Sequence, residues 1–202
     1  MTPPIRVLIA EDQSLVRGAL IALLNAESDI EVVAECATGT EAVRLVREKS
    51  IDVALLDIEM PGLNGLDAAV ELSGESCRCI IVTTFGRAGY VKRAVEAGVD
   101  GFVVKDTPPE QLADAIRRVQ SGMRVIDPTL AQESLLTPDN PLSRREGEVC
   151  QQLFEGKNSA AIARALFLSP GTVRNHISSI MAKTGAGNRY EAAYLAKKNG
   201  WI

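Results

Sequence analysis

The sequence predicts an open α/β domain, a parallel sheet with helices on both faces, followed by an all-helical domain. Three observations point to this. Residues 1–121 alternate five short apolar runs with helical patterns, and near-continuous apolar strands belong to parallel sheets buried on both faces. After residue 141 the strand signals stop, and four helical segments follow in 142–202. The charge divides at the same place: residues 1–121 hold 12 Lys+Arg against 19 Asp+Glu, and residues 142–202 hold 9 against 4. An acidic front and a basic back imply two modules with different partners, the basic one suited to a polyanion such as nucleic acid.

The strand candidates are Ile5–Ala10, Ile30–Glu35, Asp52–Asp57, Cys79–Thr83 and Gly101–Val104. Helices are expected near 13–26, 38–49, 64–73, 88–97 and 109–121. Five βα units are too few for a barrel, which needs about eight. Residues 122–141 hold three prolines together with Asp, Asn and Thr, and read as a linker with one short helix around Leu130–Leu135. Ser143 and Glu146 form a capping-box pattern that opens a helix running to about Phe154. A second helix spans roughly Ser159–Leu166. Ser169-Pro170 opens a third, an N-cap followed by proline at the first helical position, and it runs to about Lys183. Asn188 and Glu191 resemble another capping box and open a fourth.

Composition narrows the function classes. With 46% hydrophobic and 24% charged residues, disorder is not expected. No stretch approaches the ~20 apolar residues of a membrane span, so no membrane insertion is expected. The start, MTPPIRVLIAED, reaches two carboxylates too soon for a secretory signal. Cys36, Cys77, Cys79 and Cys150 contain no CxxC pair, which argues against a zinc ribbon or disulfide scaffold and for a reducing cytoplasm.

Ligands of open α/β sheets sit beyond the carboxyl ends of the strands, at the switch point of the topology. In the flavodoxin-like order 2-1-3-4-5, strands one and three are neighbours. Strand one ends in Glu11-Asp12 and strand three in Asp57, so three carboxylates converge at one edge. Their mutual repulsion calls for a cation, and oxygen ligands with room for water suit Mg2+. Thr83 ends strand four and Lys105 follows strand five, adding a hydroxyl and an ammonium. In such a pocket an aspartate oxygen can attack phosphorus while Mg2+ and Lys105 neutralise the developing charge. Singly, each residue has a plainer reading: a helix cap, a solvated lysine, a β-branched filler. The combination at four strand ends does not.

These residues resemble the receiver domain of two-component response regulators. The resemblance covers residues 5–121: AED at 10–12, LLDIEMPGLNG at 55–65, IIVTT at 80–84 and AGVDGFVVKD at 97–106. It implies that Asp57 accepts phosphate from a sensor histidine kinase. It implies Mg2+ on Asp12, Asp57 and the backbone carbonyl of Glu59, with Glu11 assisting through water. Thr83, 15 residues before Gly98, and Phe102, three before Lys105, resemble the family's switch pair. Phosphate would draw in the Thr83 hydroxyl and let Phe102 turn inward. Asp106 stands where many receivers have proline, as is common in regulators with a similar C-terminal half.

The helical segment after Ser159, the turn Phe167-Leu168 and the next helix make a helix-turn-helix candidate. At ~100° per residue, Val173, Ile177, Ile180 and Thr184 share the buried face of the third helix. Opposite lie Gly171, Asn175, Ser178 and Ala182, with Arg174 at the edge. Arg can hold guanine and Asn adenine, each bidentately, in a major groove. His176 and Lys183 flank the buried face, where phosphate contacts are expected. Any small bundle with a solvated face would share the spacing. The stretch PLSRREGEVCQQLFEGKNSAAIARALFLSPGTVRNHISSIMAKTGAGNR resembles the four-helix DNA-binding domain of NarL/FixJ (LuxR-type) regulators, with Thr172, Val173, His176, Lys183 and Asn188 among the matching residues. Thr184 and Cys150 stand where that family commonly has Leu, and Gly147 where it has a longer polar residue.

Together the resemblances imply a receiver (residues 1–121, a five-stranded sheet in the order 2-1-3-4-5), a linker (122–141) and an all-α four-helix helix-turn-helix domain (142–202). The implied function is a transcription factor switched by phosphorylation of Asp57, not an enzyme, although it can lose its phosphate by self-catalysed hydrolysis. Its implied partners are a sensor histidine kinase, promoter DNA, a second copy of the chain on phosphorylation, and RNA polymerase. TTFGRAGY at 83–90 resembles the membrane-stress and lipid-desaturase type of regulator. Three alternatives come from other classes. A haloacid-dehalogenase-type phosphatase or phosphotransferase has a second Asp two residues after its nucleophile, where this chain has Glu59 followed by Met60-Pro61. A nucleotide-binding protein would have glycine in the first βα turn, which here reads AEDQSL. A protein-binding adaptor would use the helical tail without DNA.

Overall fold

The computed structural model describes residues 3–84, 89–136 and 138–202. The first unit is built from β1 (Ile5–Ala10), α1 (Ser14–Leu24), β2 (Ile30–Cys36), α2 (Gly39–Glu48), β3 (Val53–Asp57), α3 (Gly65–Glu71), β4 (Arg78–Thr83), α4 (Gly89–Glu96), β5 (Gly101–Val104) and α5 (Pro109–Gln120). All strands are parallel, and the sheet order is β2-β1-β3-β4-β5 with a sixth strand, β6 (Val125–Ile126), beside β5. The five-stranded expectation is corrected by that strand. Gly122, at φ 88, turns the chain back after α5, and Val125 then pairs with Gly101 and Ile126 with Phe102. Two apolar residues among prolines and polar residues are too short for any periodicity to reveal.

Side chains alternate across the sheet. Val7, Ile9, Val53, Leu55, Ile80 and Val82 point to one face and form a core with Leu112, Ile116 and Val119 of α5. Leu8, Leu56, Ile81 and Phe102, at the intervening positions, are buried on the other face, on which α2 and α3 pack. The central strands β3 and β5 are buried at every position because neither face meets water there, whereas the edge strand β2 exposes Glu31 and Glu35. At the end of β3 the packing is tight. A Cβ on Gly65 would lie 2.0 Å from the carbonyl oxygen of Asp57, so only glycine lets α3 start directly against that residue.

The main division of the chain falls between Gln132 and Glu133. It lies within α6 (Pro128–Leu136), so the stretch read as a linker is itself structured. The second unit holds α7 (Arg144–Phe154), α8 (Ser159–Ala165), α9 (Pro170–Thr184) and α10 (Arg189–Lys198). Each start is capped: Ser143 by a full capping box, Asn158 to Ala161 N–H, Ser169 to Thr172 N–H, and Asn188 to Tyr190 and Glu191 N–H. Glu191 does not complete a box with Asn188, because it accepts from Gly187 N–H instead. α9 ends at Gly185 in the left-handed region, φ 69, where glycine is unstrained. Val149, Leu153, Ile162, Val173, Ile180 and Ala196 form the core. Thr184, where leucine is usual, hydrogen-bonds the carbonyls of Ile180 and Met181, so its hydroxyl is satisfied beside the core. Gly147 does not interrupt α7.

Candidate functional site

Parallel strands bring their carboxyl ends to one edge. Pairing of β1 with β3 sets Ala10 opposite Leu56, so Glu11 and Asp12 emerge beside Asp57. One carboxylate oxygen each from Glu11, Asp12 and Asp57 lies within 4.8 Å of the others. Glu11 is 2% and Asp57 5% exposed, whereas Asp12 faces solvent. Lys105 N–H donates to the carbonyl of Thr83, which fixes the start of the β5–α5 loop against β4. The Lys105 ammonium then reaches Glu11 at 2.6 Å and Asp57 at 3.1 Å.

The electrostatics follow from burial. Desolvation pushes the Glu11 and Asp57 carboxyls above their ordinary range, against the downward pull of Lys105; the Glu59 N–H also steadies charged Asp57. Burial works against the Lys105 charge, but its contacts with Glu11 and Asp57 outweigh that and hold it protonated. Lys105 meets two of the three clustered carboxylates, Glu11 and Asp57, and the donor set is oxygen alone. A hard divalent cation fits this cluster, with room for water on the Asp12 side. Glu11 also accepts from Gln13 N–H at 3.1 Å, which holds its second oxygen in place.

Thr83 is 2% exposed, and its hydroxyl donates to the Thr84 carbonyl at 3.4 Å. Phe102 is also buried, at 2% exposure. Of the stretch 83–90, residues 85–88 lie outside the described residues.

In the second unit, Val173, Ile177 and Ile180 of α9 are buried as the wheel requires. Arg174, Asn175, Ser178 and Lys183 are exposed, and Thr172 and His176 half-buried. Lys183 has a role that its spacing does not announce. Its ammonium lies 2.6 Å from Glu146, which also accepts from Ser179 at 2.6 Å and from the Ser143 N–H at 2.7 Å. This network ties α9 to the first turn of α7. A capping-box glutamate gives no hint of a partner 37 residues on.

Burial alone would raise the Glu146 pKa, but its hydrogen bonds from Lys183, Ser179 and Ser143 prevail and hold it down, at about 2. A depressed carboxyl stabilises the folded unit above its unfolded value of 4.5, and that contribution is lost as pH falls toward about 2. The full shift corresponds to about 3 kcal/mol, trimmed by the water around Lys183. Trp201, the one tryptophan, packs on this core and donates to the Pro138 carbonyl. Thermal melts followed by Trp201 fluorescence should therefore show a midpoint that falls between pH 4.5 and 2, and falls much less in Glu146→Gln. Equal pH dependence in both proteins would remove Glu146 from the account.

Among the described residues no helix is long and apolar enough to cross a membrane. Residues 7–117 match the family model of the response regulator receiver domain, and residues 140–196 that of the bacterial regulatory proteins of the luxR family. The chain is 49% identical to the transcriptional regulatory protein DesR of Bacillus subtilis (strain 168), covering 98% of this chain and 99% of DesR. It is 44% identical to the uncharacterized transcriptional regulatory protein YvfU of the same organism, covering 98% and 100%. The crystal structure of ChrA, the response regulator of a heme-sensing two-component system, resembles it over the whole of both chains, with 34% identity and a TM-score of 0.61.

Proposed function

We propose, for a chain that belongs to the response regulators with a LuxR-type DNA-binding domain, that phosphoryl transfer to Asp57 governs DNA binding by α9. The observation that carries this reading is the convergence of Glu11, Asp12, Asp57 and Lys105 at one sheet edge, in a chain that also bears an exposed polar face on α9. The donor is a phosphohistidine of a sensor kinase in the cytoplasm. An Asp57 oxygen attacks phosphorus, the P–O bond forms as the P–N bond breaks, and the imidazole leaves. Glu11, Asp12, Asp57 and the Glu59 carbonyl would hold Mg2+, which supplies charge neutralisation at the phosphoryl oxygens. Lys105 exchanges its Asp57 contact for the new phosphate, and the Thr83 hydroxyl turns from the Thr84 carbonyl toward it. Water in the same pocket later removes the phosphate.

On DNA, Arg174, Asn175 and Ser178 read base edges, while His176, Thr172 and Lys183 meet phosphates. RNA polymerase is the further partner at a promoter. Arg174→Ala should cost roughly 1–3 kcal/mol on the selected site and relax its specificity, with little effect on random DNA. Lys183→Ala should weaken binding to all sequences, and should also lower the melting midpoint, because it unties Glu146. Fluorescence anisotropy on selected and random fragments, with and without acetyl phosphate, tests the whole reading. Affinity that is indifferent to phosphorylation, or no DNA binding at all, overturns it.

A further inference from the structure

Phe167 combines two features that a turn residue rarely combines. It is the one non-glycine residue with positive φ among the described residues, at φ 53, and its side chain is 96% exposed. A large side chain in the left-handed region costs stability relative to glycine, and an exposed phenyl ring gains nothing back from the core. Its neighbours explain the turn but not the residue. Leu166 and Leu168 both pack on the core, Leu168 N–H bonds the Ala163 carbonyl, and Arg145 bonds the Leu166 carbonyl, so position 167 is forced outward. Glycine would suit that geometry better. Tyr190 and Tyr194 are exposed too, but on the regular backbone of α10.

We propose that Phe167 is a DNA contact, laying its ring on the apolar part of the duplex next to the bases read by α9. The inference rests on the reading of α9 as the helix that enters the groove. Reading helices lead with their N-terminal residues, and Phe167 lies two residues before the N-cap Ser169. No Asp or Glu occurs between Glu155 and Glu191, while Lys157, Arg164, Arg174, Lys183 and Arg189 do. A sequence stretch of that charge on both sides of Phe167 favours a polyanion over an apolar protein face. The apolar chemistry a duplex offers there is the deoxyribose face or the thymine 5-methyl group.

The test uses the full chain. Phe167→Gly should melt no lower than the parent, and higher if the strain is released. Its affinity for the selected site should fall by about tenfold. The slope of affinity against salt should stay the same, because an apolar contact displaces no counterions. Phe167→Leu should recover part of the loss. Replacing flanking thymines by uracil distinguishes the two sources: a loss with the parent chain marks the methyl group, and no loss marks the sugar. Unchanged affinity in Phe167→Gly, or a loss that comes with a shallower salt slope, overturns the proposal. Arg174→Ala measured alongside separates the failures. If it weakens binding and Phe167→Gly does not, only the Phe167 contact falls; if neither does, the reading of α9 falls.

Discussion

Asp57→Ala should abolish Mg2+-dependent labelling of the chain by acetyl phosphate, a complete loss rather than a reduction. Other carboxylates in the pocket cannot replace it. Glu11 is held by Lys105 on one oxygen and by the Gln13 N–H on the other, and it follows β1 rather than ending β3. Asp12 is exposed, on the side where the cation would sit. Asp57 is buried beside Lys105 at the end of β3, between the ends of β1 and β4. The variant should remain folded, because Lys105 keeps its 2.6 Å contact with Glu11. Asp12→Ala should also fail to label, through the lost cation site, and excess Mg2+ should recover part of the signal. Lys105→Ala should still accept phosphate but lose the rise in DNA affinity that phosphate brings. Stoichiometric labelling of folded Asp57→Ala, followed by mass spectrometry, would move the phosphoacceptor to another residue.

The pocket was legible because its residues fall at strand ends, and the strands are short apolar runs bounded by polar residues. Pairing then follows from the parallel topology, and Glu11, Asp12, Asp57, Thr83 and Lys105 arrive together without any long-range guess. β6 was not legible, since two residues have no period. The Glu146–Ser179–Lys183 network was hidden for another reason. Glu146 already satisfied one local pattern, the capping box, and its second set of partners depends on how α7 packs on α9. Phe167 shows the opposite case. The turn was expected between the two helices, but the φ of a single residue follows from the burial of Leu166 and Leu168 around it.

Phosphorylation should roughly double the mass of the chain in solution. One copy offers a single α9, which spans too few base pairs for a selective site. Two-fold pairs of such helices reach half-sites ~34 Å apart, one helical turn, so selectivity demands a dimer. The energy for the change is modest. A coupling of ~1–3 kcal/mol between phosphate and the paired state is typical of allosteric sites, and it shifts a weak dimerisation constant by roughly 5- to 150-fold. A chain poised just below its dissociation constant would cross the midpoint. The rearrangement expected of the pocket is the turn of the Thr83 hydroxyl from the Thr84 carbonyl to the phosphate. Thr83→Ala should therefore take up phosphate at Asp57 yet gain little mass, which separates the hydroxyl's part from that of the phosphate charge. Light scattering on parent and variant, before and after acetyl phosphate with Mg2+, reads both. An unchanged mass in the phosphorylated parent, with DNA affinity still rising, would place the switch within one copy of the chain and overturn the dimer.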